Sequence, residues 1–156
     1  MNDYALMTAQ LASICDGVDS LVSNLANASS ILWYGMDRLN WAGFYVMRED
    51  GRLILGPFQG KTACTEIMPG KGVCGAAAAS DRVQLVPDVH MFPGHIACDS
   101  ASNSEIVIPL HYNGSIWGVL DIDSPELNRF SPSDAEGLCS FAKQLETVIE
   151  NSSVIL

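Results

Sequence analysis

The sequence predicts an α+β fold, an antiparallel sheet with the N- and C-terminal helices packed on one face. Three observations lead there. Both ends of the chain, about residues 3–27 and 131–149, carry apolar residues at helical spacing. Two hairpin turns lie between them, Glu49-Asp50-Gly51 and Asn113-Gly114, each flanked by runs rich in β-branched and aromatic residues. Neither an internal repeat nor a linker interrupts the 156 residues, so residues 1–156 read as a single domain, large enough to bury a core without staples.

The elements follow in order. From Asp3 to Asn27, Leu11, Ile14, Val18, Leu21, Val22 and Leu25 form one apolar stripe, and Gly17 does not end the pattern. Cys15 lies beside that stripe and reads as a structural thiol. A second short helix is expected over Ser29 to Leu39, capped by Ser29-Ser30. Asn40 to Glu49 reads as a strand, and Arg52 to Phe58 as its return. Pro57 places the end of that return at an edge or beyond the ladder. Gln59 to Pro69 is a loop carrying Cys64, after which Gly70-Lys71-Gly72 opens a short helix of small residues. Arg82 to Val86 is a short strand.

Pro87 to Ser104 is a long loop of Pro, His, Phe and Cys, a composition that suits function better than disorder. Glu105 to Tyr112 and Ser115 to Asp123 pair around Asn113-Gly114, and their apolar content implies burial on both faces. Ser131 or Ser133 caps the last helix, with Glu136 completing a capping box. Its apolar face is Leu138, Phe141, Ala142, Leu145, Val148 and Ile149, with Cys139 beside it as a structural thiol. The two terminal helices pack together. Any apolar surface they leave beyond the reach of one sheet offers a homodimer interface.

Composition narrows the function. A net charge of -10 argues against nucleic acid and anionic membranes as partners. The N-terminus MNDYALMTAQ has neither the basic nor the apolar region of a signal peptide, and no run approaches a membrane span. The expected location is the cytoplasm, where thiols stay reduced. The five cysteines show no CxxC spacing and do not read as a disulfide framework.

Chemistry concentrates between Gly56 and Glu105, which hold Cys64, Cys74 and Cys98 and two of the three histidines. Cys98 lies in the polar loop HIACDSASNS rather than on a helical face. Asp99 and Ser100 are placed to cap a turn just after it, which would favour the thiolate, while the charge of Asp99 opposes it. Zinc is a competing reading, with His90, His95 and Cys98 joined by Cys64 or Cys74. The spacing matches no common zinc motif, so no metal is assigned.

Asp121 and Asp123 are two apart on a strand and face one way, and the hairpin brings Glu105 opposite them. Three acids at one sheet end repel unless solvated, protonated or paired with a cation such as a ligand ammonium. The bland alternative is a solvated strand end. Trp41 and Tyr45 share one side of their strand, as core residues or as pocket walls suited to sulfur.

Taken together, NWAGFY, LGPFQGK-x-AC, GKGVCG, LVPDVH-x-FPGHIACDSASNSEIV-x-PL and GVLDIDSP resemble the free methionine-R-sulfoxide reductases, enzymes built on a GAF domain. The similarity runs from about Asn40 to Phe130. It implies a GAF fold, with Cys98 as the catalytic cysteine, Cys64 as the resolving one and Cys74 as the third of the set. It implies that Trp41 and Tyr45 wall the pocket, and that Glu105, Asp121 and Asp123 contact the substrate. It further implies reduction of free methionine sulfoxide by Cys98, with Asp123 or Glu105 as proton donor. A sulfenic acid and an intramolecular disulfide would follow, with thioredoxin as external reductant and no bound cofactor. The alternative on the same fold is a non-catalytic GAF sensor of a small molecule.

Overall fold

The computed structural model describes residues 2–96, 98 and 100–153. Asp99, expected to bear on Cys98, lies outside them. Helix α1 (Tyr4–Cys15) and helix α2 (Leu21–Gly35) come first. The expected unbroken helix to Asn27 is therefore two helices. Gly17 adopts a φ of +71°, a left-handed conformation that ends α1 after Cys15. Ser20 then caps α2, its side chain accepting from the Ser23 amide. Ser29 is not a cap but a buried mid-helix residue, donating to the carbonyls of Leu25 and Pro57. The break also splits the apolar stripe. Leu11, Leu21 and Leu25 are buried, whereas Ile14, Val18 and Val22 are exposed.

The sheet comprises β1 (Trp41–Met47), β2 (Leu53–Gly60), β3 (Glu66–Ile67), β4 (Gln84–Val86), β5 (Ser104–Tyr112) and β6 (Ser115–Ser124). Its spatial order is β3-β2-β1-β6-β5-β4, and every pairing is antiparallel. Strand β3 falls in the expected loop after β2. Two residues are too few to show a period. Pro57 lies within β2 rather than past its end, where the pairing with β1 is irregular between Gly43 and Tyr45.

Helices α3 (Gly72–Ser80) and α4 (Pro132–Asn151) complete the fold. Helix α4 is capped by Ser131, in a capping box with Asp134 and not Glu136.

Helices α1, α2 and α4 cover one sheet face. There Leu11, Leu25, Leu32, Phe141 and Leu145 pack on Phe44, Ile106, Leu120 and Ile122. Helix α3 and the long loops cover the other face, over Trp41, Tyr45, Val107 and Val119. Burial from both sides explains why β1 and β6 lack a strict polar alternation. The terminal helices also meet directly, with the Tyr4 hydroxyl donating to Asp134 Oδ1 at 2.6 Å. Buried Arg129 bonds to Asp134 and to the carbonyl and carboxylate of Asp37, fastening the α2–β1 connection to α4.

His111, at the far end of β5, bridges the two layers. Its Nδ1 lies 2.6 Å from Glu146 Oε2 on α4, and its Nε2 lies 2.6 Å from Asp81 Oδ1 at the end of α3. Only the imidazolium can donate to both carboxylates at once. Partial burial opposes the charge, but the bonds to Asp81 and Glu146 outweigh it and raise the His111 pKa above its ordinary 6.5. A raised folded-state pKa gives stability that is complete below the unfolded value and lost as pH rises through the folded one. The difference in urea midpoint between wild type and His111→Ala is therefore expected to be larger near about pH 5.5 than near about pH 9. A difference independent of pH would exclude the charged bridge.

Candidate active site

One pocket gathers the candidate site residues singled out in the sequence, except Cys64, which reaches it through its bond to Cys98. Trp41, Tyr45, Cys74, Cys98, Glu105, Asp121 and Asp123 all line it, together with His95 and Ser102. Strand register explains the gathering. Trp41 on β1 pairs with Asp123 on β6, and Asp123 pairs with Glu105 on β5. One step further in, Gly43 pairs with Asp121, and then Tyr45 with Val119. These residues share the face that α3 covers. Gly43 leaves room between the two aromatic residues. A Cβ there would stand 2.3 Å from Phe58 Cβ, and Phe58 instead stacks on Trp41 with centroids 5.1 Å apart.

The aromatic walls also hold a cysteine loop. Trp41 Nε1 donates to the Lys61 carbonyl at 3.2 Å, and the Tyr45 hydroxyl donates to the Cys64 carbonyl at 2.9 Å. Cys64 and Cys98, 34 positions apart, are joined as a disulfide with their Cα atoms 5.4 Å apart. Cys74 sits in the first turn of α3, buried and unbonded. The other two free cysteines, Cys15 and Cys139, lie on the opposite helical layer, in line with a structural role.

The base of the Cys98 loop is stitched to the sheet. Val89 is fully buried, its amide donates to the Asn103 carbonyl, and the Asn103 side chain donates to the Pro125 carbonyl. Asp88 caps a single 3₁₀ turn over Val89–Met91, so the loop has more structure than its composition suggested. The zinc set of His90, His95 and Cys98 is not assembled. His90 Nε2 bonds to Asn103 Oδ1 at 3.0 Å, and Cys98 is committed to Cys64.

The acids are not a solvated strand end. Glu105, Asp121 and Asp123 are 7%, 6% and 9% exposed. Among the described residues that line the pocket there is no Lys or Arg. With all three ionised, Asp121 Oδ1 and Asp123 Oδ1 have no donor. A proton placed between two carboxyls turns the same contacts into hydrogen bonds. Burial first, and the charge of Asp121 second, push Glu105 and Asp123 well above the carboxylate range. Asp121 is also raised by burial, but hydrogen bonds from Glu105, Cys74 and Asp123 offset this. Of the three, Asp121 therefore gives up its proton most readily, and Glu105 and Asp123 hold theirs further up the pH scale. Burial, then Asp121, likewise raises the Cys74 thiol, which stays protonated. Burial and then His90 lower the His95 pKa, favouring the neutral ring.

Ser102 is a site residue that the sequence reading did not single out. Its hydroxyl donates to Asp123 Oδ2 at 3.2 Å and accepts from Asn40 Nδ2 at 2.9 Å. A serine in a serine-rich loop carries no pattern that would reveal this. The clamp on the Cys64 loop was equally hidden, because its acceptors are backbone carbonyls.

A GAF domain model matches residues 10–149. The free methionine-R-sulfoxide reductase of Escherichia coli (strain K12) is 50% identical over 146 residues, covering 94% of this chain and 88% of that one. The chain belongs to the free methionine-R-sulfoxide reductase family. Solved structures agree. The reduced form of the Staphylococcus aureus fRMsr is 45% identical with a TM-score of 0.91, over 96% of each chain. The free methionine-R-sulfoxide reductase of Neisseria meningitidis, in complex with its substrate, is 43% identical with a TM-score of 0.92. That match covers 96% of this chain and 89% of the other. The predicted GAF fold and family membership are thereby established. Among the described residues, no helix is long and apolar enough to cross a membrane.

The Tyr45 clamp can be tested in isolation. Tyr45→Phe keeps the ring and removes one buried donor, leaving the Cys64 carbonyl unpaired. It is expected to lower the stability of the oxidised protein by about 1–3 kcal/mol in urea unfolding. No change would mean that the hydroxyl does not hold the loop.

Proposed function

We propose that this family member reduces free methionine (R)-sulfoxide to methionine through Cys98, with Cys64 as the resolving thiol. The observation that carries the reading is the Cys64–Cys98 disulfide, whose Cys98 lines the same pocket as the buried acids Glu105, Asp121 and Asp123. In the reduced enzyme, the Cys98 thiolate attacks the sulfoxide sulfur. Glu105 or Asp123 supplies a proton to the oxygen as its bond to sulfur breaks. The oxygen departs as water and leaves Cys98 bonded to the methionine sulfur. That water then attacks the Cys98 sulfur, methionine leaves with the electrons of the broken sulfur–sulfur bond, and Cys98 becomes a sulfenic acid with release of a proton. The Cys64 thiol then attacks Cys98 sulfur, water departs, and the disulfide forms. A thioredoxin-type dithiol returns two electrons by exchange.

The pocket suits each part of this substrate. The rings of Trp41 and Tyr45, with centroids 5.8 Å apart, offer apolar faces to the sulfur and its methyl group. Asp121, the acid in which hydrogen bonds offset the effect of burial, suits an ammonium, which favours a free amino acid over a peptide. Cys74 is unbonded in the oxidised protein, which favours Cys64 over Cys74 as the partner of Cys98. Exposed Leu6, Ile14 and Tyr34 on α1 and α2 suit a homodimer contact. The same reading has a cytoplasmic location and needs no bound cofactor.

Wild-type protein with dithiothreitol is expected to consume the R epimer of free methionine sulfoxide, and Cys98→Ser to be inactive. Asp123→Asn or Glu105→Gln is expected to lower kcat/KM by about 10²–10⁴-fold. Chiral chromatography of the residual sulfoxide provides the measurement. Turnover by Cys98→Ser equal to wild type, or equal rates on N-acetyl methionine sulfoxide, would overturn the assignment.

A further inference from the structure

We propose that the pocket floor is a divalent-cation site of the zinc class, built from Cys74, Glu105 and Asp121, where a bound ion excludes the substrate. The competition rests on the function proposed above; the ion site itself does not. Cys74 Sγ and one carboxylate oxygen each from Glu105 and Asp121 lie within 4.8 Å of one another. Zinc binds sulfur at about 2.3 Å and carboxylate oxygen at about 2.0–2.2 Å. Tetrahedral ligands at those lengths stand about 3.4–3.6 Å apart, so small side-chain movements suffice. The three residues come from the first turn of α3, from β5 and from β6, all of them rigid elements.

A second observation points to a positive occupant. With the acids ionised, Asp121 Oδ1 and Asp123 Oδ1 have no donor, although both side chains are more than nine-tenths buried on the pocket wall. They therefore need either shared protons or a cation, and an ion would bind by displacing the protons of Glu105 and Cys74 into solution. A substrate ammonium satisfies those oxygens but has no use for a sulfur at the floor. A thiolate beside two carboxylates is a donor set that favours zinc-class ions over magnesium or calcium. Three protein ligands leave one coordination position open to the pocket, the arrangement found in zinc sites that bind small molecules. An ion there would take the anion that the substrate amine needs.

The test uses cobalt(II), whose thiolate complexes absorb in the near ultraviolet, titrated into the oxidised full-length protein. The Cys64–Cys98 disulfide removes those two sulfurs from competition, leaving Cys74, Cys15 and Cys139. One equivalent of cobalt is expected to produce the thiolate band, and zinc to abolish it. The band should vanish in Cys74→Ser and in Asp121→Asn and persist in Cys15→Ser and Cys139→Ser. Added methionine sulfoxide should displace it. A band that survives Cys74→Ser, or no band at all, overturns the site. A band unmoved by sulfoxide overturns the competition. Zinc X-ray absorption on wild type guards against a misfolded variant: one sulfur in the shell supports the site, and an all-oxygen-and-nitrogen shell rejects it. Absence of reductase activity with the cobalt band intact would sink the proposed function and leave the ion site standing.

Discussion

Three carboxyl groups packed against one another out of water, with no Lys or Arg among the described residues that line their pocket, are the constraint that the rest of this structure serves. Each carboxylate buried alone would cost several kcal/mol. The cluster survives because protons are shared within it. Burial pushes Glu105 and Asp123 well above the carboxylate range, while hydrogen bonds from Glu105, Cys74 and Asp123 offset the rise at Asp121. This arrangement weakens the fold in one direction. A carboxyl whose folded pKa is raised takes up a proton on folding, so stability falls as pH climbs from its ordinary value through the raised one. A buried, partly protonated cluster that destabilises the protein at neutral pH is the pattern expected of a functional site.

The layers make the cluster possible. Packing α1, α2 and α4 on one sheet face concentrates most of the apolar core there. The opposite face is then free to carry Trp41, Asp123 and Glu105 in a single cross-strand row. Helix α3 closes over that row with Gly, Val, Cys and Ala, residues small enough to approach the sheet. The aromatic side chains do two jobs. Their rings form the wall, and their polar tips hold the backbone that presents Cys64. The redox pair and the acids are thereby tied to the same strand.

Much of this was legible in the sequence. The Asn113-Gly114 turn brought Glu105 to within one register step of Asp123, and an irregularity between Leu110 and His111, which no residue signal revealed, shifts the β5–β6 pairing by the one residue that makes them partners. Trp41 and Tyr45 share a face by the two-residue period of a strand. Alternation alone could not say that the acid face was buried, since the cover comes from α3, distant in sequence. The residues between Asp3 and Leu39 were harder. A stripe at helical spacing continued past Gly17, and only the backbone conformation of that glycine divides α1 from α2. The pairing of Cys64 with Cys98 came from the family motif and not from spacing, because loops join partners at any separation.

Carbon-13 NMR of carboxyl-labelled reduced protein, with Glu105→Gln and Asp123→Asn for assignment, follows each acid through a pH titration. Glu105 and Asp123 are expected to titrate well above their ordinary values of 4.5 and 3.8. Ionisation of all three acids within the ordinary carboxylate range would contradict it.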